Sequence, residues 1–550
     1  MAQEHQFGIK GFGRKKNHLT MAHNLGVYLL LSWMTALATS IGTDPNIQML
    51  IEPLTKHVKG VPIFNYQFAL NLNRAQGLKE PRNCTTWFVM AHKEYAQELR
   101  DFCIKTSLGK RHCRYVAQST PSFIFEGSED ELHVMLDVHK DKIEFVEPDH
   151  EVFLFDNTHG PEPPGILQND PEWGLDRIDQ FQPGLSKTYE PGLDGGFGTG
   201  VHVYVTDTGV MTTHEDLEGR AIPTLESLGH LKVCDPSDTS CALDPHGHGS
   251  HCSGIIGGKK YGVAKNVTIH AVQVLGSSGF GQYSWIYMAI DWIVKNHIKP
   301  AVISSSLGGY GASAASKKAI DAAVEAGITV VVAAGNNAMD ACMFQPSFVP
   351  SAITVGATEP SVGNHCNHAL RKALQGSIGR LGGLGDRFVK SVCGGYDNMA
   401  FYSNYGTCLD IWAPGSDIAS IGIASNHARK VMSGTSMACP AVAGASALVL
   451  AYFGGITPAE VKLKLQEHAT VKTLMPLLLF PKPDSVNNLL YIGKKGWSKT
   501  EVDSLLASEG SSTLLGIFMG LIGIPSVVAG FVIHRKSAAA REIKARPLLG

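Results

Sequence analysis

The chain has 550 residues, a formal net charge of −2 and 11 cysteines. Hydrophobic residues make up 44% of it and charged residues 17%, so most of the chain can bury a core and extensive disorder is disfavoured. The small net charge argues against a nucleic-acid-binding protein, because phosphate binding needs a concentrated basic surface. We expect one large domain of roughly 300 residues together with smaller pieces.

Residues 1–40 are predicted to be a basic leader followed by a signal peptide. A basic stretch over residues 10–16 precedes an apolar run over residues 25–38. The run ends in Ala36-Leu37-Ala38, a small-x-small pattern that is typical of signal-peptide cleavage. An uncleaved signal anchor is the alternative, although the run is short for a membrane span.

The next segments predict a small domain and a linker. Residues 41–85 show no clear period and are assigned to an N-terminal pro-region, whereas residues 86–155 are predicted to form an α+β domain. Strand and helix patterns alternate there at 86–90, 94–106, 123–125, 129–139 and 143–148. With one further strand between 106 and 123, this is the β-α-β-β-α-β order of a ferredoxin-like domain. The Pro-, Gly- and Asn-rich segment 156–172 predicts a linker.

Residues 173–493 are predicted to form the large domain. Short β-branched runs alternate with helical patterns, and the runs lie at 201–205, 268–272, 301–304 and 328–332. Such runs are typical of buried parallel strands, so we expect a three-layer α/β domain with a mainly parallel central sheet. In such sheets, ligands bind beyond the carboxyl ends of the strands.

The C-terminal segments predict a membrane anchor. A polar linker over 494–512 precedes residues 513–533, which carry no charge and are long enough to cross a bilayer at about 1.5 Å per residue. The basic tail 534–550 is predicted to be cytosolic by the positive-inside rule. We therefore expect a single-pass type I membrane protein of the secretory pathway, with a luminal or extracellular large domain. The alternatives are a secreted protein and a GPI-anchored protein, and the basic tail argues against the GPI signal.

Three polar motifs follow strand patterns or precede helical patterns in the large domain. They are Asp207-Thr208-Gly209, Gly247-His248-Gly249-Ser250-His251 and Gly434-Thr435-Ser436-Met437-Ala438. A serine hydroxyl is a poor nucleophile until a base takes its proton, and that base needs a carboxylate to fix its tautomer. The motifs supply all three groups, so they predict a catalytic triad of Asp207, His248 and Ser436.

Asn336 is the predicted oxyanion donor. It belongs to Ala333-Ala334-Gly335-Asn336-Asn337, which follows an apolar strand pattern. Attack on a peptide carbonyl builds negative charge on its oxygen, and a fixed amide that donates to this oxygen contributes about 3 kcal/mol. The backbone N–H of Ser436 would be the second donor. A turn asparagine is the alternative reading of the Asn-Asn pair.

Other chemistries fit the motifs less well. An aspartic protease needs a second Asp-Thr/Ser-Gly, and an α/β-hydrolase elbow needs a final glycine where Ala438 stands. A zinc site built on His246, His248 and His251 lacks a fourth ligand. A cysteine nucleophile at Cys252 or Cys439 lacks a separate histidine in any recognised pattern.

These motifs, in the order Asp…His…Ser of subtilisin, resemble the proteinase K branch of the subtilisin-like serine proteases, peptidase family S8. The resemblance extends over six further segments, namely 173–178, 262–264, 281–284, 306–309, 403–406 and 485–490. It implies a serine endopeptidase that hydrolyses peptide bonds in proteins through an acyl-enzyme. It also implies that residues 86–155 are an inhibitor I9-type propeptide, which is cut autocatalytically between about Phe155 and Asp170.

The resemblance implies substrate and calcium sites. The backbone of Ser306, Leu307, Gly308 and Gly309 would pair with substrate as an added strand, and Ala333, Ala334 and Gly335 would form the other pocket wall. Because that wall holds no acidic residue, we expect a preference for apolar or small residues before the scissile bond. Pro350, Ala352 and Asp410 match a structural calcium site of two carbonyls and one carboxylate.

Several disulfide pairings are expected. Cys234 and Cys241 bracket a polar loop, and the resemblance implies the pair Cys342–Cys408. Cys366 and Cys393 lie in an insertion over 361–396 and are expected to pair there. Cys252 and Cys439 either stay reduced or approach each other. The pro-region cysteines are Cys84, Cys103 and Cys113, so at least one of them lacks an internal partner.

The preferred hypothesis is a membrane-anchored, calcium-dependent serine endopeptidase that is made as a zymogen. Its partners would be protein substrates, its own propeptide and a membrane. The alternative is a catalytically silent binding protein on a protease fold, with the propeptide retained as a lid. The insertion, the predicted anchor and Ala441, which stands where the family usually has a histidine, motivate that alternative.

Overall fold

The computed structural model describes residues 56–66, 86–155, 171–193, 195–360, 397–475 and 482–497. The predicted signal peptide, the insertion at 361–396 and the membrane helix at 513–533 lie outside the described residues. One described helix, Thr435–Phe453, is long and apolar enough to cross a membrane, and 83% of its apolar window is buried inside the protein. That helix belongs to the core of the large domain.

The small domain has a six-stranded sheet with the order β1-β2-β6-β3-β5-β4. Its strands are β1 Lys56–Val58, β2 Val61–Ile63, β3 Thr86–Ala91, β4 Cys113–Val116, β5 Ser122–Glu126 and β6 Ile143–Pro148. Its helices are α1 Ala96–Lys105, α2 Ser107–His112 and α3 Glu129–His139. The strand expected between residues 106 and 123 is β4. The short strands β1 and β2 extend the sheet from a segment whose sequence shows no period.

The two faces of β3 pack against different parts of the molecule. Because successive side chains of a strand point to opposite faces, Trp87 and Val89 enter the core of the small domain. Phe88 points the other way and belongs to the core cluster of the large domain. Its ring centroid lies 5.6 Å from that of Tyr283 and 5.2 Å from that of Tyr287. The small domain is therefore packed against the large one through an apolar interface.

The large domain is built on a long, mainly parallel sheet with the order β10-β9-β11-β8-β13-β15-β17-β19-β24-β22. The strands of this path are β8 His202–Asp207, β9 Ala221–Ser227, β10 Leu231–Val233, β11 Thr268–Gln273, β13 Ala301–Ser305, β15 Ile328–Ala333, β17 Ile353–Glu359, β19 Ile411–Pro414, β22 Thr470–Val471 and β24 Asn488–Leu489. Two further strands, β18 Asp397–Met399 and β23 Leu474–Met475, pair beside β17. The four strands predicted from the βα alternation are β8, β11, β13 and β15, and they pair in parallel in the order β11-β8-β13-β15. Strand β17, which was not predicted, continues the parallel pairing beside β15.

Helices lie along this sheet. They are α4 Trp173–Ile178, α5 His248–Gly257, α6 Tyr283–Asn296, α7 Ala314–Glu325, α8 Thr435–Phe453 and α9 Pro458–His468. Helix α8 is buried along most of its length because nearly all its residues are apolar or small. Asp207 ends β8, whereas His248 and Ser436 lie in the first turns of α5 and α8. These groups therefore meet beyond the carboxyl ends of the parallel strands, where α/β proteins bind ligands.

A separate small sheet joins the two domains. Its order is β12-β7-β14-β16, with β7 Glu151–Leu154, β12 Phe280–Gln282, β14 Leu307–Tyr310 and β16 Phe344–Gln345. Strand β7 comes from the end of the small domain, and its two neighbours come from the large domain. The remaining strands, β20 Ile418–Ile421 and β21 Arg429–Met432, form a hairpin.

Three disulfides join described cysteines. The expected pairs Cys234–Cys241 and Cys342–Cys408 are confirmed, and a third bridge joins Cys103 to Cys113 in the small domain. Cys252 and Cys439 are free and buried. The expected pair Cys366–Cys393 lies outside the described residues.

Candidate active site

Asp207 and His248 form a buried hydrogen-bonded pair. Nδ1 of His248 lies 2.8 Å from Oδ1 and 2.9 Å from Oδ2 of Asp207, and neither side chain is exposed to solvent. The N–H of Thr208 donates to Oδ1 of the carboxylate at 2.7 Å, which fixes its orientation. A carboxylate accepts hydrogen bonds only, so Nδ1 carries a proton and Nε2 of the neutral ring is left as the basic atom.

The pKa of His248 is shifted well above its ordinary value. Burial by itself lowers this pKa, because it disfavours the charged ring, but the neighbouring Asp207 carboxylate outweighs that effect. The pair therefore stabilises an imidazolium ion. A ring that gains a proton from a serine during attack needs this property.

Ser436 meets the pair at the start of α8. Its Oγ donates to the carbonyl oxygen of Phe155 at 2.6 Å and lies 3.0 Å from the carbonyl oxygen of Ser306. Cys252, which belongs to α5, contacts both residues, with Sγ 3.8 Å from Nδ1 of His248 and 3.4 Å from the carbonyl oxygen of Ser436. The three predicted triad residues are thus brought to one place. Asp207 and His248 are 41 positions apart, and Ser436 lies 184 positions beyond Cys252.

Asn336 faces the same carbonyl group from the opposite side. Its Oδ1 accepts the backbone N–H and the hydroxyl of Thr435, both at 2.9 Å, so the amide is oriented with Nδ2 turned away. Nδ2 donates to the carbonyl oxygen of Phe155. Two donors, Asn336 Nδ2 and Ser436 Oγ, therefore converge on one peptide oxygen. This arrangement polarises that carbonyl beside a serine hydroxyl.

The segment that ends at Phe155 lies in the site as an added strand. Strand β7 pairs antiparallel with β14, with Leu154 opposite Leu307 and Phe153 opposite Gly308. On its other edge it pairs with β12, with Phe153 opposite Phe280. Main-chain pairing of this kind reads backbone shape and is largely independent of sequence. Of the residues expected to pair with substrate, Leu307 and Gly308 pair with β7.

The other members of that expected set have different positions. Ser306 lies next to Ser436, and its Oγ donates to the carbonyl oxygen of Ser436 at 3.0 Å. Gly309 pairs with Gln345 of β16. Ala333 and Ala334 are fully buried at the end of β15. The segment Phe280–Gln282 pairs with the other edge of β7. The sequence had indicated no role for this pairing.

The ring of Phe155 fills a pocket with glycine walls. A Cβ atom on Gly308 would lie 2.6 Å from two ring carbons of Phe155, and one on Gly335 would lie 3.5 Å from a third. The ring of Phe344 closes the pocket at a centroid distance of 6.3 Å. Only 2% of Phe155 is exposed. The pocket therefore accepts a large aromatic side chain because two of its walls lack side chains.

Neither free thiol fits a nucleophile, and the histidines do not form a zinc site. Burial raises the pKa of Cys252, and it raises that of Cys439 to about 12, so both thiols stay protonated at neutral pH. Within the described ranges, Asp207, His248 and Cys252 are the one group of three potential metal ligands whose atoms lie within 4.8 Å of one another. His246 and His251 do not join that group.

Two carboxylates of the small domain cap helices of the large one. Glu147 Oε2 accepts the N–H of Ala315 and the hydroxyl of Ser313, both at 3.0 Å, at the N-terminus of α7. Asp149 accepts the N–H of Ser284 at 2.9 Å and its hydroxyl at 2.5 Å, at the N-terminus of α6. Burial raises the pKa of both carboxyl groups. The contacts satisfy orphan N–H groups of both helices.

Asp291 of α6 is a third anchor for the small domain, and no motif in the sequence indicates it. Its carboxylate accepts the Tyr115 hydroxyl at 2.6 Å, the Gln118 N–H at 2.9 Å and the Ser119 N–H at 2.7 Å. The Ser119 hydroxyl donates to the same group. Asp291 lies within helix α6, where its sequence context is ordinary. Its role is visible only from its contacts with residues 115–119 of the small domain.

The three residues that match a calcium site do converge, but on a lysine. Nζ of Lys462 lies 3.0 Å from the carbonyl oxygen of Pro350, 2.8 Å from that of Ala352 and 2.8 Å from Oδ2 of Asp410. A cation already lies at the point towards which the three oxygens are directed. The residues present therefore do not fit a calcium ion at this position.

Comparisons with known proteins agree with the fold and with the motifs. A model of the subtilase family matches residues 198–499. The "Extracellular serine proteinase" of Thermus sp. (strain Rt41A) is 39% identical over 329 residues, which are 60% of this chain and 66% of that protein. The "Subtilisin-like serine protease Pen c 2" of Penicillium citrinum is 36% identical over 389 residues, which are 68% of this chain and 72% of that protein.

The chain thus spans about two thirds of the length of these two relatives. The solved "Crystal structure of a cold adapted subtilisin-like serine proteinase" is 36% identical, with a TM-score of 0.47, and the match covers 58% of this chain and 97% of that one. The family match covers more than half of the chain and includes all three triad motifs. The chain belongs to the subtilase family of serine endopeptidases.

Proposed function

We propose that this chain is a serine endopeptidase in which Asp207, His248 and Ser436 act as the catalytic triad. Ser436 Oγ attacks the peptide carbonyl, and His248 Nε2 takes the hydroxyl proton and then gives it to the leaving amine. Asp207 holds the ring and stabilises its charged form. Water then hydrolyses the acyl-enzyme by the same steps in reverse. The observation that carries this proposal is the Phe155 carbonyl, to which Ser436 and Asn336 both donate.

We propose that Asn336 Nδ2 and the backbone N–H of Ser436 stabilise the oxyanion. The supporting contact is the bond from Nδ2 to Phe155 O, because the oxygen that accepts it is the one that becomes negative during attack. The bonds from Thr435 to Asn336 Oδ1 hold the amide in this orientation before reaction. Such preorganisation avoids the cost of reorienting a dipole in the transition state.

Residues 86–155 are proposed to be an inhibitory propeptide and also the first substrate. The bond cut during maturation would join Phe155 to Asp156, because the Phe155 carbonyl is the one beside Ser436. After cleavage, β7 would remain paired with β12 and β14 and block the site. The enzyme would therefore be made as an inactive zymogen complex.

The proposed substrates are proteins with a large apolar residue before the scissile bond. The glycine walls at Gly308 and Gly335 leave room for an aromatic ring, as Phe155 shows. This narrows the sequence expectation of an apolar or small residue to a large apolar one. Two residues earlier, Phe153 lies 5.8 Å from the ring of Tyr310, so a second aromatic contact is available.

The proposed site of action is outside the cytosol. The name of the Thermus relative describes an extracellular enzyme, and the described disulfides suit an oxidising compartment. Residues 513–533 would anchor the protein, and this part of the proposal is supported by their apolar sequence alone.

Expression of the full chain with Ser436→Ala tests the proposal. The variant is expected to remain unprocessed and inactive, whereas the wild-type chain yields a mature form whose N-terminal residue is Asp156. Ser446→Ala is the matched control, because Ser446 lies on the same helix and its Oγ donates within that helix to the carbonyl oxygen of Val442. Normal processing of Ser436→Ala would contradict autocatalysis.

A serine-directed fluorophosphonate separates the enzyme from a catalytically silent binding protein. The processed wild-type protein is expected to be labelled once its small domain has dissociated or been degraded. A wild-type protein that is processed yet never labelled would support the silent binding protein.

A further inference from the structure

Lys462 holds three oxygens that come from different parts of the chain. The carbonyl oxygens of Pro350 and Ala352 lie just before β17, and the Asp410 carboxylate lies just before β19. Nζ of Lys462 is within 3.0 Å of all three. An ammonium group has three N–H donors and no acceptor. Three acceptors around it therefore satisfy it completely.

The distances fit an ammonium nitrogen better than a calcium ion. Nitrogen-to-oxygen separations of 2.8–3.0 Å are ordinary hydrogen bonds, whereas calcium binds about six to eight oxygens at about 2.3–2.6 Å. An ion at bonding distance from these oxygens would overlap the position of Nζ. It would also add two positive charges beside one that is already paired.

The remaining capacity of Asp410 is used by other protein groups. The N–H of Thr354 donates to Oδ2 at 2.9 Å. Gln466 directs its amide at the same residue, with Nε2 3.4 Å from Oδ1 and 3.3 Å from the carbonyl oxygen. The carboxylate is thus surrounded by donors on both oxygens. A carboxylate engaged in this way is a poor ligand for a further cation.

Helix α9 holds the lysine in place. It begins with a capping box, in which Thr457 and Glu460 satisfy each other's backbone N–H groups, and Pro458 occupies its first turn. Lys462 and Gln466 are four positions apart, so both project from one face of this helix towards Asp410. The side chain of Lys462 is only 20% exposed. A capped helix therefore positions the ammonium group of Lys462 beside Asp410.

We propose that Lys462 is a built-in cation that replaces structural calcium at this position of the fold. Its ammonium group ties the starts of β17 and β19 to α9 without any bound ion. Strand β17 pairs with β15 at Ala333, next to the pocket wall. The arrangement of the wall is then independent of free calcium at this site, and chelators do not loosen it.

Thermal unfolding with and without calcium tests this proposal. The full chain carries Ser436→Ala to prevent self-digestion, and its melting temperature is measured in chelator and in excess calcium chloride. Lys462→Ala in this background is expected to melt about 5–10 °C lower in chelator, because Asp410 loses its counter-ion. Calcium is expected to restore at least half of that loss, since the alanine leaves room for the ion and its water ligands.

Lys464→Ala is the matched control, because it removes the same charge from the same helix. Lys464 lies 4.1 Å from the ring centroid of Phe453, so its loss creates no empty oxygen site and calcium is expected to give no recovery. Calcium stoichiometry is measured by equilibrium dialysis with atomic emission. One more equivalent is expected in Lys462→Ala than in the parent chain.

Asp410→Asn keeps the test decisive if Lys462→Ala does not fold. In the chain that retains Lys462, this change is expected to leave the number of bound calcium ions unaltered. Loss of a calcium equivalent in Asp410→Asn would overturn the proposal, because it would mean that the parent chain binds an ion there. A Lys462→Ala chain that folds but neither binds nor responds to calcium would overturn it as well.

Discussion

Asn336 illustrates how one side chain acquires its orientation. In the sequence it is one of two adjacent asparagines, and a turn would explain both. In the structure the two differ in their partners. Asn336 is held by Thr435 and donates to the Phe155 carbonyl, whereas Asn337 Nδ2 donates to the hydroxyl of Tyr310 at 2.9 Å. Of the two, it is Asn336 whose Nδ2 donates to the Phe155 carbonyl.

Asn336→Ala is therefore expected to lower kcat by about 100- to 1,000-fold, because the transition state loses a preoriented donor. KM is expected to change little. The measurement uses the mature enzyme and a chromogenic peptide with phenylalanine before the scissile bond. Asn337→Ala serves as the control and should retain most activity. Equal losses in the two variants would indicate that neither asparagine is an oxyanion donor.

At the scale of elements, α6 and α7 present their N-termini and one side face to the small domain. Glu147 and Asp149 satisfy the first turns of these helices, and Asp291 lies further along α6. These contacts are polar, whereas Phe88, Ala117 and Ile124 contribute to the apolar part of the interface. The sequence predicted helical patterns between the strands of the large domain, without bounds for these two helices. The sequence did not predict the interface, because the sequence of a helix does not reveal that a carboxylate from a distant segment caps it.

Asp291→Ala is expected to weaken binding of the processed small domain by about 10- to 100-fold, since several hydrogen bonds to a charged acceptor are lost. The dissociation constant is measured on the processed complex, alongside kcat for a small peptide, which should not change. Asp321→Ala is the control, because Asp321 contacts Lys317 and Ser351 within the large domain. A fall in peptide kcat in Asp291→Ala would contradict a role confined to the interface.

At the scale of the whole molecule, the small domain and the large domain share a core cluster, a sheet and buried charges. Glu147 and Asp149 lie at this interface beside His150, and burial raises the pKa of both carboxyl groups. His150 itself stacks on Tyr283 at a centroid distance of 5.6 Å. Separation of the domains would return both carboxyl groups to water.

The inhibitory complex is expected to dissociate more readily as pH rises. Both carboxyl groups have a raised pKa in the complex, so the complex holds protons that the separated small domain releases. Affinity is then greatest below the ordinary carboxyl pKa of about 4 and falls as pH rises through the raised values. Gel filtration of the processed complex across this range measures the effect.

Glu147→Gln and Asp149→Asn keep the hydrogen-bonding shape of these groups and remove their titration. Each is expected to flatten the pH dependence. An affinity that increases with pH in the wild-type complex would contradict the role of these two carboxyl groups. So would a pH dependence in both variants that is as steep as in the wild-type complex.

The sequence by itself determined the family, the order of most elements and the triad as a prediction. These predictions depend on short contiguous motifs and on the local spacing of apolar residues, so each can be made from residues a few positions apart. Two disulfides were also predicted correctly, one from a polar loop and one from resemblance.

Only the tertiary structure decided which carbonyl lies beside Ser436, which side chains bind the small domain, and which cation holds Asp410. Each of these depends on groups that the chain brings together across long separations: 281 positions from Phe155 to Ser436, 172 from Ser119 to Asp291 and 112 from Pro350 to Lys462. The order of strands in the sheet and the positions of the helices set such encounters, and no local pattern encodes them. Lys462 of α9 therefore lies where the family resemblance had implied a calcium ion.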